Sequence, residues 1–244
     1  MAKTAKIRLF VEGSLGVGQG IVLSRDSANY LFNVMRLSVG AQIRVFNGTD
    51  GEWLGEVAEA GKRGGKLVCI EQSGPQLAPP DLWLLFAPIK KSRTAFIVEK
   101  AAELGAARIM PILTSYTNSE RLRQDRLQAH AVEAAEQCGG TYVPKVEEAQ
   151  KFDAALADWP ADRQLLFCDE SLTALPVAEA LAKADAGKWA IIIGPEGGFS
   201  PDEAAKLRGM SVTTSVTLGP RILRADTAAV AAMTAWQSAL GDWG

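Results

Sequence analysis

Two short stretches in the last quarter of the chain gather residues that could do chemistry. The first is Ile191–Glu203, IIIGPEGGFSPDE, where an apolar run ending at Ile193 meets Gly194, Pro195, Glu196, Gly197 and Gly198. Glycines let a backbone approach a ligand closely and take positive φ. The second is Leu218–Ala228, LGPRILRADTA, in which Leu218, Gly219, Arg221, Ile222, Leu223 and Arg224 lead to Asp226 and Thr227. Two arginines beside a helix start suit an anion such as a phosphate or a carboxylate. A structural pairing of Arg224 with Asp226 is the plainer alternative. Neither stretch matches GxGxxG or GxxxxGK[ST], so a dinucleotide fold or a phosphate-binding P-loop is unsupported.

These loops need strands and helices to place them. Ser200-Pro201-Asp202-Glu203 reads as a helix start, with Ser200 as N-cap, Pro201 at the first helical position and Glu203 completing a capping box. The first loop therefore sits at the carboxyl end of a strand, where α/β folds bind ligands. The second follows a strand expected over Val212–Leu218 and precedes a helix over Ala225–Leu240. Upstream, Leu82–Ala87, Arg108–Leu113, Leu165–Cys168 and Trp189–Ile193 read as strands. Thr94–Leu104, Arg121–Cys138, Val177–Ala184 and Asp202–Arg208 read as helices. Such alternation implies a mostly parallel sheet covered on both faces. Before the proline-rich stretch Ser73–Asp81, short strands prevail over Ile7–Val11, Gln42–Phe46, Trp53–Ala58 and Leu67–Ile70, with one helix over Asp26–Met35 and a hairpin turn at Asn47–Gly51. A small barrel of residues 1–74 followed by an α/β domain of residues 80–244 is the expected organisation.

Counts narrow the chemistry. The 244 residues include one histidine, His130, so a multi-histidine metal site is excluded and no metal is expected. Cys69, Cys138 and Cys168 form no CxxC pair, which fits free thiols in a reducing, cytoplasmic setting. No signal sequence or membrane span is visible. The formal net charge is −2, against a uniformly basic nucleic-acid surface. That charge is unevenly spread. Residues 1–75 carry nine Lys/Arg against seven Asp/Glu, and residues 90–126 carry eight basic residues against four acidic ones.

In this order the two loops resemble the SPOUT superfamily of RNA methyltransferases, and more closely the ribosomal RNA small subunit methyltransferase E family. Supporting segments are EKAAELG (Glu99–Gly105), AAEQCG (Ala134–Gly139), NVMRL (Asn33–Leu37) and VFNG (Val45–Gly48). The resemblance implies an N-terminal PUA-like β-barrel, a C-terminal SPOUT α/β domain with a deep trefoil knot, and a homodimer. It implies transfer of a methyl group from S-adenosyl-L-methionine to N3 of a uridine in 16S ribosomal RNA within the small subunit. The cofactor site would comprise Ile193, Gly194, Pro195, Glu196, Gly197, Gly198, Leu218, Gly219, Ile222 and Leu223. Arg224 and Arg221 would stabilise the base or a nearby phosphate, with Glu196 and Asp226 as weaker candidates for accepting the proton. Arg8, Arg36, Lys90 and Arg93 are expected to contact RNA. Asp226 stands where the family more often has Glu. A ribose 2′-hydroxyl target, or a binding protein without catalysis, are the competing readings.

Overall fold

The structure is a computed structural model that describes residues 6–61, 63–118 and 122–244. The chain forms two compact units, Met1–Ala78 with Ala135–Val143, and Pro79–Ala134 with Pro144–Gly244. The proline-rich stretch lies where the chain first leaves one unit for the other. The return of residues 135–143 to the first unit is not visible as any change of composition.

In the first unit, β1 (Arg8–Phe10), β2 (Gly20–Val22), β3 (Gln42–Phe46), β4 (Glu52–Gly61) and β5 (Gly64–Gly74) form one sheet in the order β1-β3-β4-β5-β2. The β1–β3 pair is parallel and the others antiparallel. The turn at Asn47–Gly51 is built as its residues require. The Asn47 side-chain oxygen accepts from the backbone of Thr49 and Asp50, while Gly48 and Gly51 take φ of +87° and +79°. Leu9, Val11, Ile43, Val45, Val57 and Leu67 pack beneath with Ala28 and Leu31. The helix expected over Asp26–Met35 is a single α turn, α1 (Arg25–Ala28), continued as a π-helix over Asn29–Val34. It closes with the Met35 N–H donating to the Tyr30 carbonyl and the Leu37 N–H to the Leu31 carbonyl, which leaves Arg36 left-handed at φ 56°.

The second unit alternates as expected. Its elements are β6 (Leu82–Phe86), α2 (Lys91–Glu103), β7 (Arg108–Leu113), α3 (Gln124–Cys138), β8 (Lys145–Val146), β9 (Gln150–Lys151), α4 (Phe152–Ala157), β10 (Arg163–Cys168), β11 (Leu175–Pro176), α5 (Val177–Leu181), β12 (Lys188–Ile193), α6 (Pro201–Gly209), β13 (Thr213–Thr217) and α7 (Ala225–Leu240). Arg121, the expected start of α3, lies outside the described residues. The sheet order is β11-β13-β10-β12-β6-β7-β8, with β9 on β7, and every recorded pair is parallel. Helices on both faces explain why Leu84, Leu85, Leu165, Leu166, Ile191 and Ile192 are all buried. From β6 the chain builds outward to β7 and β8; it then crosses to the other side at β10, and β12 is later inserted between β10 and β6 before β13 adds outside β10. The reversal lies between β6 and β12, and crevices outside strand carboxyl ends at such reversals are where ligands bind. The short elements β2, β8, β9, β11 and α4 were not anticipated, because two to six residues are too few to show a period. No helix among the described residues is long and apolar enough to cross a membrane.

Candidate active site

Loops after β6, β10, β12 and β13 meet in a cleft of about 480 Å³ in the second unit, within the size range of small-molecule sites. The β12 loop is shaped from below. Ile193 completes the buried strand, and the Gly198 N–H donates to the Pro195 carbonyl at 2.9 Å. Phe199 anchors the loop in the core, 5.5 Å edge-on to Phe167 and 6.0 Å from Phe152. A Cβ on Gly194 would come 2.9 Å from that ring. Gly198 has φ +73°, and a Cβ there would overlap the Glu170 carboxylate at 1.6 Å. The capping box is present: Ser200 Oγ accepts from the Glu203 N–H, and the Glu203 carboxylate accepts from the Ser200 N–H at 2.9 Å.

Of the expected cofactor residues, Ile193, Gly194, Pro195, Glu196, Gly198, Leu218, Ile222 and Leu223 line the cleft. Gly197 and Gly219 do not. Gly197 turns toward Tyr116, and Gly219, at φ +117°, faces open space. Arg221 and Arg224 line the cleft and are exposed, without acidic partners among the described residues. Glu196 also lines it, exposed, with no hydrogen-bond partner among those residues. Asp226 is different. It is buried at the start of α7, where one oxygen accepts from Arg93 and the other from the Thr227 N–H at 3.0 Å. The plainer alternative, a structural pairing of Arg224 with Asp226, is therefore corrected: the partner of Asp226 is Arg93. With both oxygens engaged, Asp226 is an anchor that points Arg93 into the cleft.

The other basic residues divide by environment. Lys90 and Arg93 line the cleft. Arg36 is exposed in the first unit. Arg8 is largely enclosed there, with its Nε 2.6 Å from the Glu52 carboxylate and its Nη atoms donating to the carbonyls of Ala135, Glu136 and Gly140. Four of its five donors are spent inside the protein. The expectation that Arg8 contacts RNA gives way to a structural role, capping the end of α3. His130, beside Glu99 at 2.9 Å, does not line the cleft.

The sequence reading missed the loop after β10. Cys168, Asp169 and Glu170 all line the cleft. Burial pushes the Cys168 thiol up to about 12, which favours the neutral thiol over the thiolate. Burial opposes the Asp169 charge, but Arg208 at 2.8 and 3.0 Å and the Ser171 N–H outweigh it and hold the carboxyl below its usual range. Burial, then the Asp169 charge, push Glu170 the other way. The available signal was positional: Asp169-Glu170 also follow an apolar strand. Among the described residues no cluster of His, Cys, Asp and Glu is arranged to hold a metal ion.

Comparison with known proteins decides the family. A family described as the RNA methyltransferase domain matches residues 76–237, and the RNA methyltransferase PUA domain matches residues 23–68. The ribosomal RNA small subunit methyltransferase E of Rickettsia conorii is 31% identical over 231 residues, 93% of each chain. The chain belongs to that family. A member from Bacillus subtilis is 26% identical, covering 87% of this chain and 88% of that protein. Among solved structures, the small subunit methyltransferase E of Neisseria gonorrhoeae, bound to S-adenosyl methionine, has a TM-score of 0.85 at 25% identity, covering 98% of this chain and 99% of that one. A protein of Legionella pneumophila solved with the cofactor SAM has a TM-score of 0.86 at 27% identity, covering 97% and 98%.

Proposed function

We propose that this protein transfers a methyl group from S-adenosylmethionine to N3 of a uridine in 16S ribosomal RNA of the small subunit. The observation that carries the reading is the cleft at the β6–β12 reversal, where both glycine loops and two unpaired arginines converge, in a chain whose relatives are small subunit methyltransferases. The residues present fit this cofactor. Gly194 and Gly198 let the loop close against Phe199 and Glu170 with no Cβ in the way, and the apolar side chains of Leu218, Ile222 and Leu223 also line the cleft.

When bound, S-adenosylmethionine supplies an already electrophilic methyl group. What remains for the chain is to hold the reactants in line and to manage the uridine N3 proton. Arg224 and Arg221 stabilise charge on the base or on a neighbouring phosphate. Each unit of pKa mismatch at N3 costs about 1.4 kcal/mol, so a fixed cation there matters. Glu196, which lines the cleft without a hydrogen-bond partner among the described residues, as Glu170 also does, is the acceptor. Lys90, Arg93 and, in the first unit, Arg36 hold RNA. The finer architecture follows the same reading: residues 1–74 as a PUA-like barrel, residues 80–244 as a methyltransferase domain with a deep trefoil knot, a homodimer, and action in the cytoplasm. The interleaving of β10, β12 and β13 supports the knot.

The test is transfer of tritiated methyl from S-adenosylmethionine to small ribosomal subunits from a strain lacking this gene, with the product nucleoside identified by mass spectrometry. The expected product is N3-methyluridine. Arg224→Ala is expected to lower transfer at least 100-fold with an unchanged melting temperature. Methylation of a ribose instead, or near wild-type turnover by that variant, would overturn the respective assignment.

A further inference from the structure

Tyr116 is half exposed, on the loop after β7, with its hydroxyl unpartnered among the described residues. Its Cβ, Cγ and Cδ2 lie 3.4–3.9 Å from where a Cβ of Gly197 would stand. The ring therefore borders the glycine loop at Gly197, between Glu196 and Gly198, which both line the cleft. An exposed aromatic on a loose loop would mean little. This loop is held closely. The Thr117 N–H donates to the Thr114 carbonyl at 3.1 Å, and the Thr114 N–H to Thr117 Oγ1 at 2.8 Å. Both the N–H and the hydroxyl of Ser115 donate to the Glu203 carboxylate, at 2.8 and 3.1 Å. Glu203 is the same side chain that caps α6, so one buried carboxylate ties the Tyr116 loop to the glycine loop's own helix.

At the start of α2, after the strand β6 that neighbours β7, Lys90 and Lys91 are exposed, without acidic partners among the described residues. An exposed ring on a hydrogen-bonded loop, with unpaired lysines at the helix start that follows the adjacent strand, has the composition of a single-stranded RNA surface. Aromatic faces stack on bases that are not paired, and ammonium groups meet phosphates. We propose that Tyr116 stacks on an unpaired base of the RNA substrate at the rim of the cleft. The inference rests on the RNA methyltransferase reading above and names one contact of its substrate.

The experiment compares wild type, Tyr116→Ala and Tyr116→Phe. Three quantities are measured: KM and kcat for methyl transfer to undermethylated small subunits, cofactor Kd by calorimetry, and assembly state by sedimentation. Loss of the ring is expected to raise KM for RNA about 10- to 100-fold, with cofactor Kd within twofold. The Phe variant is expected to stay close to wild type, since stacking uses the ring. An unchanged KM in Tyr116→Ala overturns the inference. So does a cofactor Kd that rises in parallel, which would make the ring a buttress of Gly197. A change of assembly state, or a Phe variant as weak as Ala, overturns it as well. A wild-type protein that transfers no methyl group defeats the functional reading itself, a result separable from any of these.

Discussion

Asp169 and Glu170 are adjacent carboxylates that the fold drives in opposite directions, and their substitutions should separate by sign. Asp169 is held down by Arg208 and the Ser171 N–H after burial has been overcome. A depressed carboxyl adds stability above its unfolded value near 3.9 and loses it as pH falls through the lower folded value. Asp169→Asn should therefore unfold at lower urea than wild type at pH 7, with the gap closing below about pH 4. Glu170 is pushed up by burial and then by Asp169. Its contribution is complete below the unfolded value, near 4.3, and is lost as pH rises through the folded one. Glu170→Gln should thus be more stable than wild type at pH 7 and indistinguishable from it in acid. Urea midpoints across pH 3–8 check both signs. Only half of this is readable from residue types: two acids in a row announce mutual repulsion, but not that one of them meets Arg208, 39 positions away. Asp226 makes the same point, since Arg224 stands two residues off while its actual partner is Arg93.

Elements were legible where a local rule decided them. The capping box at Ser200–Glu203 depends on four consecutive residues, and the turn at Asn47–Gly51 on side chains that bond to their own backbone. The long parallel strands announced themselves as unbroken apolar runs. What local rules omit is the second use of a side chain. Glu203 is both the capping acid of α6 and the acceptor for the Ser115 N–H and hydroxyl. Ser200→Ala should cost about 1 kcal/mol, as for loss of an N-cap. Glu203→Ala should cost more, about 2–3 kcal/mol, because it leaves the Ser115 and Ser200 N–H groups without their acceptor in a site where Glu203 itself is 8% exposed. Chemical denaturation of the two variants checks the order. Equal costs would mean that the bond across to the β7 loop adds nothing. The π-helical turn after Ala28 escaped for a related reason: its residues suit an α-helix, and the extra residue is accommodated by the left-handed Arg36, whose strain no propensity forbids outright.

For the whole molecule, a formal charge of −2 is compatible with RNA binding only if positive charge is confined to particular places. The basic residues sort accordingly. Arg8 is consumed internally, Arg93 is paired with Asp226, and Lys90, Lys91, Arg221, Arg224 and Arg36 are exposed without recorded acidic partners among the described residues. Affinity for RNA should then depend on salt through these few residues. Each single-strand phosphate contact contributes about 0.7 to the slope of log K against log salt. The double variant Lys90→Ala/Lys91→Ala should flatten that slope by about one to one and a half. Arg36→Gly should flatten it by a further 0.7 if both units hold the same RNA, because independent phosphate contacts add. Glycine suits the left-handed backbone at position 36, so that variant should keep its stability to within about 1 kcal/mol. Arg8→Ala is the contrasting case. It should leave the slope unchanged and lower stability by about 3–5 kcal/mol, since buried Glu52 would lose its 2.6 Å partner and keep only the Ser73 hydroxyl at 3.0 Å and the longer 3.4 Å contact to Arg44. Filter binding of small-subunit RNA between about 50 and 200 mM salt separates these outcomes. A flattened slope in Arg8→Ala would return that residue to the RNA surface, and an unchanged slope in the double lysine variant would place the RNA elsewhere on the molecule.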